Sequence, residues 1–151
     1  MKALVIYDSL YGNTELIARA IGGGIGEDVK VVRAAEEKIA ELDSYDLIIV
    51  GSPTQGGKYT IPMKSFLDTI PADALKNKKV AAFDTRGKGI FYKIFGWAAN
   101  KIADTLKDKG ANLVAPGEGF FVKGGKGPLA DGELERAAAW AKTITDKSLS
   151  S

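Results

Sequence analysis

The chain has 151 residues, with 21 Lys and Arg against 19 Asp and Glu, and it contains neither Cys nor His. This length is typical of one domain with an ample core, and a formal net charge of +2 gives no general case for nucleic-acid binding. The composition excludes disulfides, thiolate and Ser-His catalytic sites, iron–sulfur clusters and most transition-metal sites. Any redox chemistry would therefore require a bound organic cofactor.

The amino-terminal residues carry no signal-peptide pattern, because Met1-Lys2-Ala3 leads directly into an apolar run. No apolar run approaches the ~20 residues that a membrane-spanning helix needs. We therefore expect a cytoplasmic, soluble protein without a membrane span, without a nucleic-acid partner, and monomeric.

The first predicted elements are a strand, a polar turn and a helix. Leu4–Tyr7 is apolar and rich in β-formers, which is typical of a strand buried on both faces of a parallel sheet. Residues 15–25 have helical spacing of apolar residues, and the triplet Gly22–Gly24 predicts where this helix ends. Residues 28–33 alternate in polarity and predict a second strand at a sheet edge, followed by a short helix over 36–42.

The later elements continue this alternation. We predict an apolar, central third strand over 46–51, a fourth over 79–83 and an interrupted fifth over 112–122, with helices over 61–70, 90–109 and 131–147. Residues 148–151 are predicted to be a loose tail. Five strands alternating with helices indicate one α/β domain over residues 1–151, in which helices cover both faces of a three-layer, doubly wound, five-stranded parallel sheet.

The turn after the first strand has the composition of an anion site. The first amides of a helix have no partner within the helix, and that end of the helix is positive. Ser9, Asn13 and Thr14 add side-chain donors, and Gly12 permits close approach of the backbone. A phosphate could be held there without a basic side chain. The alternative is that Asn13 or Thr14 simply caps the helix.

Two further polar loops follow the third and fourth predicted strands, Pro53–Gly57 and Asp84–Gly89. All three loops open at the carboxyl edge of the sheet, where doubly wound folds bind ligands. Together they resemble the flavodoxin family, and the resemblance covers nearly the whole chain in element order. It implies the strand order 2-1-3-4-5, a noncovalently bound FMN and one-electron transfer between redox protein partners. The fifth strand lacks the insertion of long-chain flavodoxins, so the chain resembles the short-chain form.

The resemblance also implies which residues bind the cofactor. The first loop would surround the FMN phosphate with Ser9, Leu10, Tyr11, Gly12, Asn13 and Thr14. The second would contact the flavin ring edge through its backbone, with Pro53, Thr54, Gln55, Gly56 and Gly57. The third would lie against the pyrimidine end of the ring, with Asp84, Thr85, Arg86 and Gly87.

Three details of these loops bear on the flavin. A peptide flip at the glycine of the second loop is linked in the family to stabilisation of the one-electron-reduced flavin, and Gly56-Gly57 would make such a flip inexpensive. Gln55 stands where an aromatic residue often stacks on the ring. Tyr59, which is close to Gln55 in sequence, is considered for that stacking role. Tyr92 is the residue expected to cover the outer face, with Phe91 as the alternative.

The loops are basic where the family is usually acidic, since Lys58, Arg86, Lys88 and Lys93 lie in or near them. These charges predict partners with acidic patches. They also predict that the second reduction potential is less negative than in flavodoxins with acidic loops. The difference would be under ~100 mV for one positive charge ~8 Å from the flavin at an effective dielectric of ~20.

Two other functions remain open. One is an FMN-dependent NAD(P)H:quinone oxidoreductase of the flavodoxin-like superfamily, although no added loop is long enough to build its substrate pocket. The other is a flavin-free module for protein contact, against which the intact first loop argues. No residue is assigned a catalytic or metal-binding role.

Overall fold

A computed structural model describes residues 1–36, 39–88 and 97–150. In chain order they form β1 (Ala3–Tyr7), α1 (Asn13–Ile25), β2 (Val29–Arg33), 3₁₀ helices at Ala34–Glu36 and Ile39–Ser44, β3 (Leu47–Pro53), α2 (Ile61–Thr69), β4 (Lys79–Arg86), α3 (Ala98–Asp108), β5 (Asn112–Leu113), β6 (Glu118–Phe121) and α4 (Glu133–Ser150). No helix in these ranges is long and apolar enough to cross a membrane.

The strands form one parallel sheet in the order β2-β1-β3-β4-β5, and β6 pairs with β4 beyond the end of β5. The predicted doubly wound fold and strand order are therefore confirmed. β2 lies at the edge and β3 at the centre, as expected from their patterns. The predicted interruption of the fifth strand is real, because residues 114–117 separate β5 from β6.

Alternate residues of β1 contribute to two cores on opposite faces of the sheet. Leu4 and Ile6 belong to the core that includes residues of α2 and α3, whereas Val5 and Tyr7 belong to the core that includes residues of α1 and α4. Each residue of β1 is at most 4% exposed. This burial on both faces positions the end of β1, and the polar loop that follows it, at the carboxyl edge of the sheet.

The sequence predicted that the glycine triplet Gly22–Gly24 ends the first helix, but the helix continues beyond it. α1 continues through it to Ile25. A Cβ on Gly24 would lie 2.4 Å from the backbone oxygen of Ala138 in α4, and one on Gly22 would lie 2.7 Å from Val31 Cγ2. These glycines therefore allow close packing of α1 on α4 and on β2.

Other predicted boundaries also require correction. β4 extends through Asp84–Arg86, which the sequence assigned to a loop, because all three residues pair with β6 and the first two also pair with β3. The long helix predicted over 90–109 is not continuous, because Trp97 has an extended backbone and α3 begins at Ala98; residues 90–96 lie outside the described residues. The predicted tail is helical up to Ser150, and Ser148 is 2% exposed. The short helix over 36–42 is replaced by the two 3₁₀ segments.

Candidate functional site

The first turn of α1 presents unpaired backbone donors. Gly12 precedes the helix in the left-handed region (φ 91°), and the helix begins at Asn13 without a side-chain cap. Within the described residues, the amides of Asn13 and Thr14 donate to no protein acceptor. Both residues lie inside the helix, so the alternative that one of them caps it is wrong. Two unpaired amides at the positive end of a helix have the chemistry needed to bind an anion.

The hydroxyl groups of Ser9 and Thr14 in this loop form hydrogen bonds within the protein. Ser9 Oγ accepts hydrogen bonds from the amides of Gly12 (3.1 Å) and Glu15 (3.4 Å), which folds the loop back on itself. Thr14 Oγ1 lies 2.7 Å from Thr85 Oγ1, and both residues are buried. The first and third predicted loops are therefore joined directly.

The base of the first loop is held by residues that the sequence reasoning did not select. Arg33, at the end of β2, donates a hydrogen bond to the carbonyl of Ser9 (3.1 Å) and lies 3.4 Å from Asp8 Oδ1. Asp8 is 5% exposed and also accepts a hydrogen bond from Thr60 Oγ1 (2.5 Å). These contacts fix the loop between two strands and the start of α2.

The second loop is a two-residue hairpin. Gln55 and Lys58 exchange both backbone hydrogen bonds (2.8 and 2.9 Å), while Gly56 and Gly57 both have positive φ, 54° and 79°. These are the features of a type I′ turn, which glycine adopts without strain. Tyr59 is partly buried against the hydrophobic core and is not among the residues that line the cleft described below.

Asp84 and Arg86 form a paired unit at the end of β4. Asp84 is fully buried and accepts hydrogen bonds from Arg86 Nε (2.7 Å), Arg86 Nη2 (2.8 Å) and the amide of Ala99 (2.9 Å). The Arg86 guanidinium lies 3.7 Å from the ring centroid of Trp97. A Cβ on Gly119 would come within 2.1 Å of that guanidinium, so glycine is needed beside it. Asp84 therefore belongs to β4 rather than to a loop, and its carboxylate fixes the position of the Arg86 guanidinium.

A fourth segment, residues 122–129, was missed by the sequence reasoning. It follows β6 and is closed by a bridge between Val122 and Leu129 and by a hydrogen bond from the Lys123 amide to the Pro128 carbonyl (2.8 Å). Asn13 Nδ2 donates to the carbonyl of Lys126 (3.1 Å), which attaches this segment to the first loop. The run of glycines and lysines directly after a strand was the available signal.

These four segments enclose a cleft of about 450 Å³. Its size falls within the range of small-molecule and cofactor sites. The lining residues are Leu10, Tyr11, Asn13, Thr14, Pro53, Thr54, Gln55, Thr85, Arg86, Gly87, Lys88, Val122, Lys123, Gly124 and Gly125.

The structure thus brings most of the predicted site residues together. Five of them adjoin the cleft without lining it: Ser9, Gly12, Gly56, Gly57 and Asp84. The predicted covering residue Tyr92, its alternative Phe91 and the basic residue Lys93 lie outside the described residues.

The cleft is basic. Among the described residues that line it none is acidic, and Arg86, Lys88 and Lys123 are basic. The charge of Arg86 is balanced by Asp84, whereas Lys88 is exposed and Lys123 pairs with the exposed Asp131 at 3.2 Å. Among the described residues that line the cleft, Lys88 therefore provides the positive charge that no ion pair compensates.

Comparison with known proteins agrees with this architecture. A sequence profile of the family described as Flavodoxin matches residues 5–140. Flavodoxin 1 of Salmonella typhimurium is 30% identical over 161 residues, which cover 93% of this chain and 91% of that protein. An archaeal flavodoxin structure superposes with a TM-score of 0.82 at 31% identity, covering 99% of both chains. Flavodoxin 2 from Bacillus cereus, in its oxidised form, gives a TM-score of 0.82 at 29% identity, covering 97% of this chain and 99% of that one. The chain belongs to the flavodoxin family.

Proposed function

We propose that this protein binds FMN in the cleft and carries single electrons between redox protein partners. The observation that supports this most directly is the pair of unpaired amides, on Asn13 and Thr14, at one side of a cofactor-sized cleft. An anion bound there satisfies two backbone donors and meets the positive end of a helix. Riboflavin, which lacks the phosphate, satisfies neither.

The residues present fit this cofactor. Gly12 has a left-handed backbone and no atom within 4 Å of the position of a Cβ, so a phosphate can approach the helix start. Pro53–Gln55 and Thr85–Gly87 provide the walls for the flavin ring. When bound, FMN supplies the ability to accept and donate electrons one at a time. The chain's own residues anchor the phosphate, orient the ring and limit its contact with water.

The partner proteins are expected to present acidic patches. Lys58, Lys88 and Lys123 are exposed at or beside the cleft, and redox encounters use small interfaces that are steered by charge. Electron transfer to such a partner should slow as salt rises, because exposed charges separated by more than ~8 Å are screened at physiological ionic strength.

Binding and turnover measurements test this function. The apoprotein should bind FMN at least tenfold more tightly than riboflavin, and it should not catalyse steady oxidation of NAD(P)H by a quinone. Equal affinity for FMN and riboflavin would contradict the phosphate site. Steady quinone reduction would assign the oxidoreductase function instead, and no flavin binding at all would leave a protein-contact module.

A further inference from the structure

We infer that the segment Lys123–Pro128 is a fourth cofactor-binding segment, in which Lys126 supplies the positive charge that the first loop lacks. This inference rests on the proposed function, because it concerns how the same site recognises the FMN phosphate. The first loop, residues 9–14, contains hydroxyl, amide and glycine residues but no Lys or Arg. A cation near it must therefore come from another part of the chain.

The backbone of this segment is fixed against the residue that begins α1. Asn13 Nδ2 donates a hydrogen bond to the Lys126 carbonyl (3.1 Å). Gly127 has φ 103°, and a Cβ there would lie 2.7 Å from the Asn13 side-chain amide. Such a close approach requires glycine at that position. The backbone of Lys126 is therefore anchored by the side chain of Asn13, the residue whose backbone amide is unpaired.

The internal bonds of the segment maintain this placement. The Gly127 amide donates to the Gly124 carbonyl (3.1 Å), which closes a turn with Lys126 inside it. Gly124 and Gly125 line the cleft, as do Asn13 and Tyr11 of the first loop. The segment is thus a wall of the cleft beside the phosphate end.

The Lys126 ammonium group lies close to the first loop. It is 5.8 Å from the ring centroid of Tyr11, a first-loop residue that lines the cleft and is 56% exposed. Within the described residues Lys126 makes no ion pair, whereas Lys123 in the same segment pairs with Asp131. Its charge is therefore available to a bound anion.

A charge in this position has a specific consequence for recognition. A phosphate monoester carries close to two negative charges at neutral pH, so a nearby cation favours FMN over riboflavin. Because the ammonium is exposed, solvent and salt weaken the attraction. Loss of Lys126 should therefore weaken FMN binding by roughly threefold to tenfold at low salt and much less at high salt.

The test compares Lys126→Gln with Lys126→Arg and with Lys142→Gln, a charge-matched control at an exposed position of α4. Dissociation constants for FMN and for riboflavin are measured by flavin fluorescence at low and at high salt. We expect Lys126→Gln to weaken FMN binding alone, to flatten its salt dependence and to leave riboflavin binding unchanged. Lys126→Arg and Lys142→Gln should match the wild type.

Two results would overturn the inference. One is unchanged FMN affinity in Lys126→Gln. The other is an equal loss of FMN and riboflavin affinity, which would assign a structural role to the side chain. In both cases the wild type still binds FMN, so the proposed function stands. Failure of the wild type to bind FMN would overturn the proposed function itself.

Discussion

The guanidinium of Arg86 is paired with the buried carboxylate of Asp84 through two hydrogen bonds of 2.7 and 2.8 Å. The Arg86 side chain is 12% exposed and stacks on Trp97. Arg86 therefore brings little net charge to the cleft that it lines. Of the four basic residues that predict a shift in the second reduction potential, Arg86 should therefore contribute little.

This pairing predicts that Asp84→Asn will expose the charge of Arg86. The second one-electron potential should become less negative by roughly 50 mV, since one charge ~8 Å away at an effective dielectric of ~20 is worth ~2 kcal/mol before screening. Potentials of the FMN-loaded variants measure this. The double variant Asp84→Asn/Arg86→Gln is the control, because it should return the potential close to that of the wild type. An unchanged potential in Asp84→Asn would contradict the masking of Arg86.

The close packing of α1 on α4 is tested by two adjacent glycines. Gly24→Ala should destabilise the protein by about 1–3 kcal/mol, because its Cβ would meet the backbone of Ala138. Gly23→Ala is the matched control: no atom lies within 4 Å of its Cβ position, and alanine should stabilise the helix by about 0.5–1 kcal/mol. Urea denaturation of both variants measures the free energy of unfolding. Equal effects would show that the glycines do not determine this packing.

The stability of the protein should depend on the ionisation of Glu133, which connects the start of α4 to the end of β6. Hydrogen bonds from Arg136, and one from the amide of Phe121 (2.7 Å), lower the pKa of Glu133 below its ordinary value of 4.5. A lowered pKa stabilises the folded state above about pH 4.5, and this contribution is lost as the pH falls through the folded value.

Glu133→Gln should therefore be less stable than the wild type by about 2 kcal/mol at pH 7. The difference should shrink as the pH is lowered from 5 to 3. Denaturation curves across this range measure it, with Glu135→Gln on the exposed face of α4 as the control. A difference that stays constant with pH would mean that the Glu133 charge does not contribute.

The Gln55–Lys58 hairpin should influence how far apart the two one-electron potentials lie. In Gly56→Ala only the backbone is affected, since no atom lies within 4 Å of the Cβ position. A positive φ costs alanine about 1–2 kcal/mol. The substitution should therefore hinder any change in the conformation of this turn that accompanies reduction of the flavin. We expect the separation of the potentials to narrow by tens of millivolts, and to change less in Gly56→Asn. Identical potentials in all three proteins would exclude a redox-linked change at this turn.

The fold was predictable where its signals are local. The apolar run of β1, the polar turn after it and the alternation of strands and helices all follow from neighbouring residues. The errors have a common origin in tertiary contacts. Gly24 reads as a helix stop, but it packs on Ala138, which is far away in the sequence. Asp84 reads as a loop residue, but pairing with β6 extends its strand.

The candidate site was predictable to the same extent. The residues of the first loop were found because their composition indicates an anion site before any contact is known. The fourth segment was missed because its contacts with the first loop are distant in sequence, such as the bond between Asn13 and Lys126, residues 113 positions apart. Arg33 was missed because its hydrogen bond to the Ser9 carbonyl joins residues 24 positions apart, and no local pattern indicates that contact.

The central claim, a one-electron carrier that uses FMN, is tested most directly by anaerobic stepwise reduction of the FMN-loaded protein, followed by absorption spectroscopy. We predict two resolved one-electron steps with separate midpoint potentials, and no reduction by NAD(P)H alone. A single two-electron step, above all one driven by NAD(P)H, would contradict the account and favour a reductase. Absence of flavin bands after addition of FMN would contradict it completely.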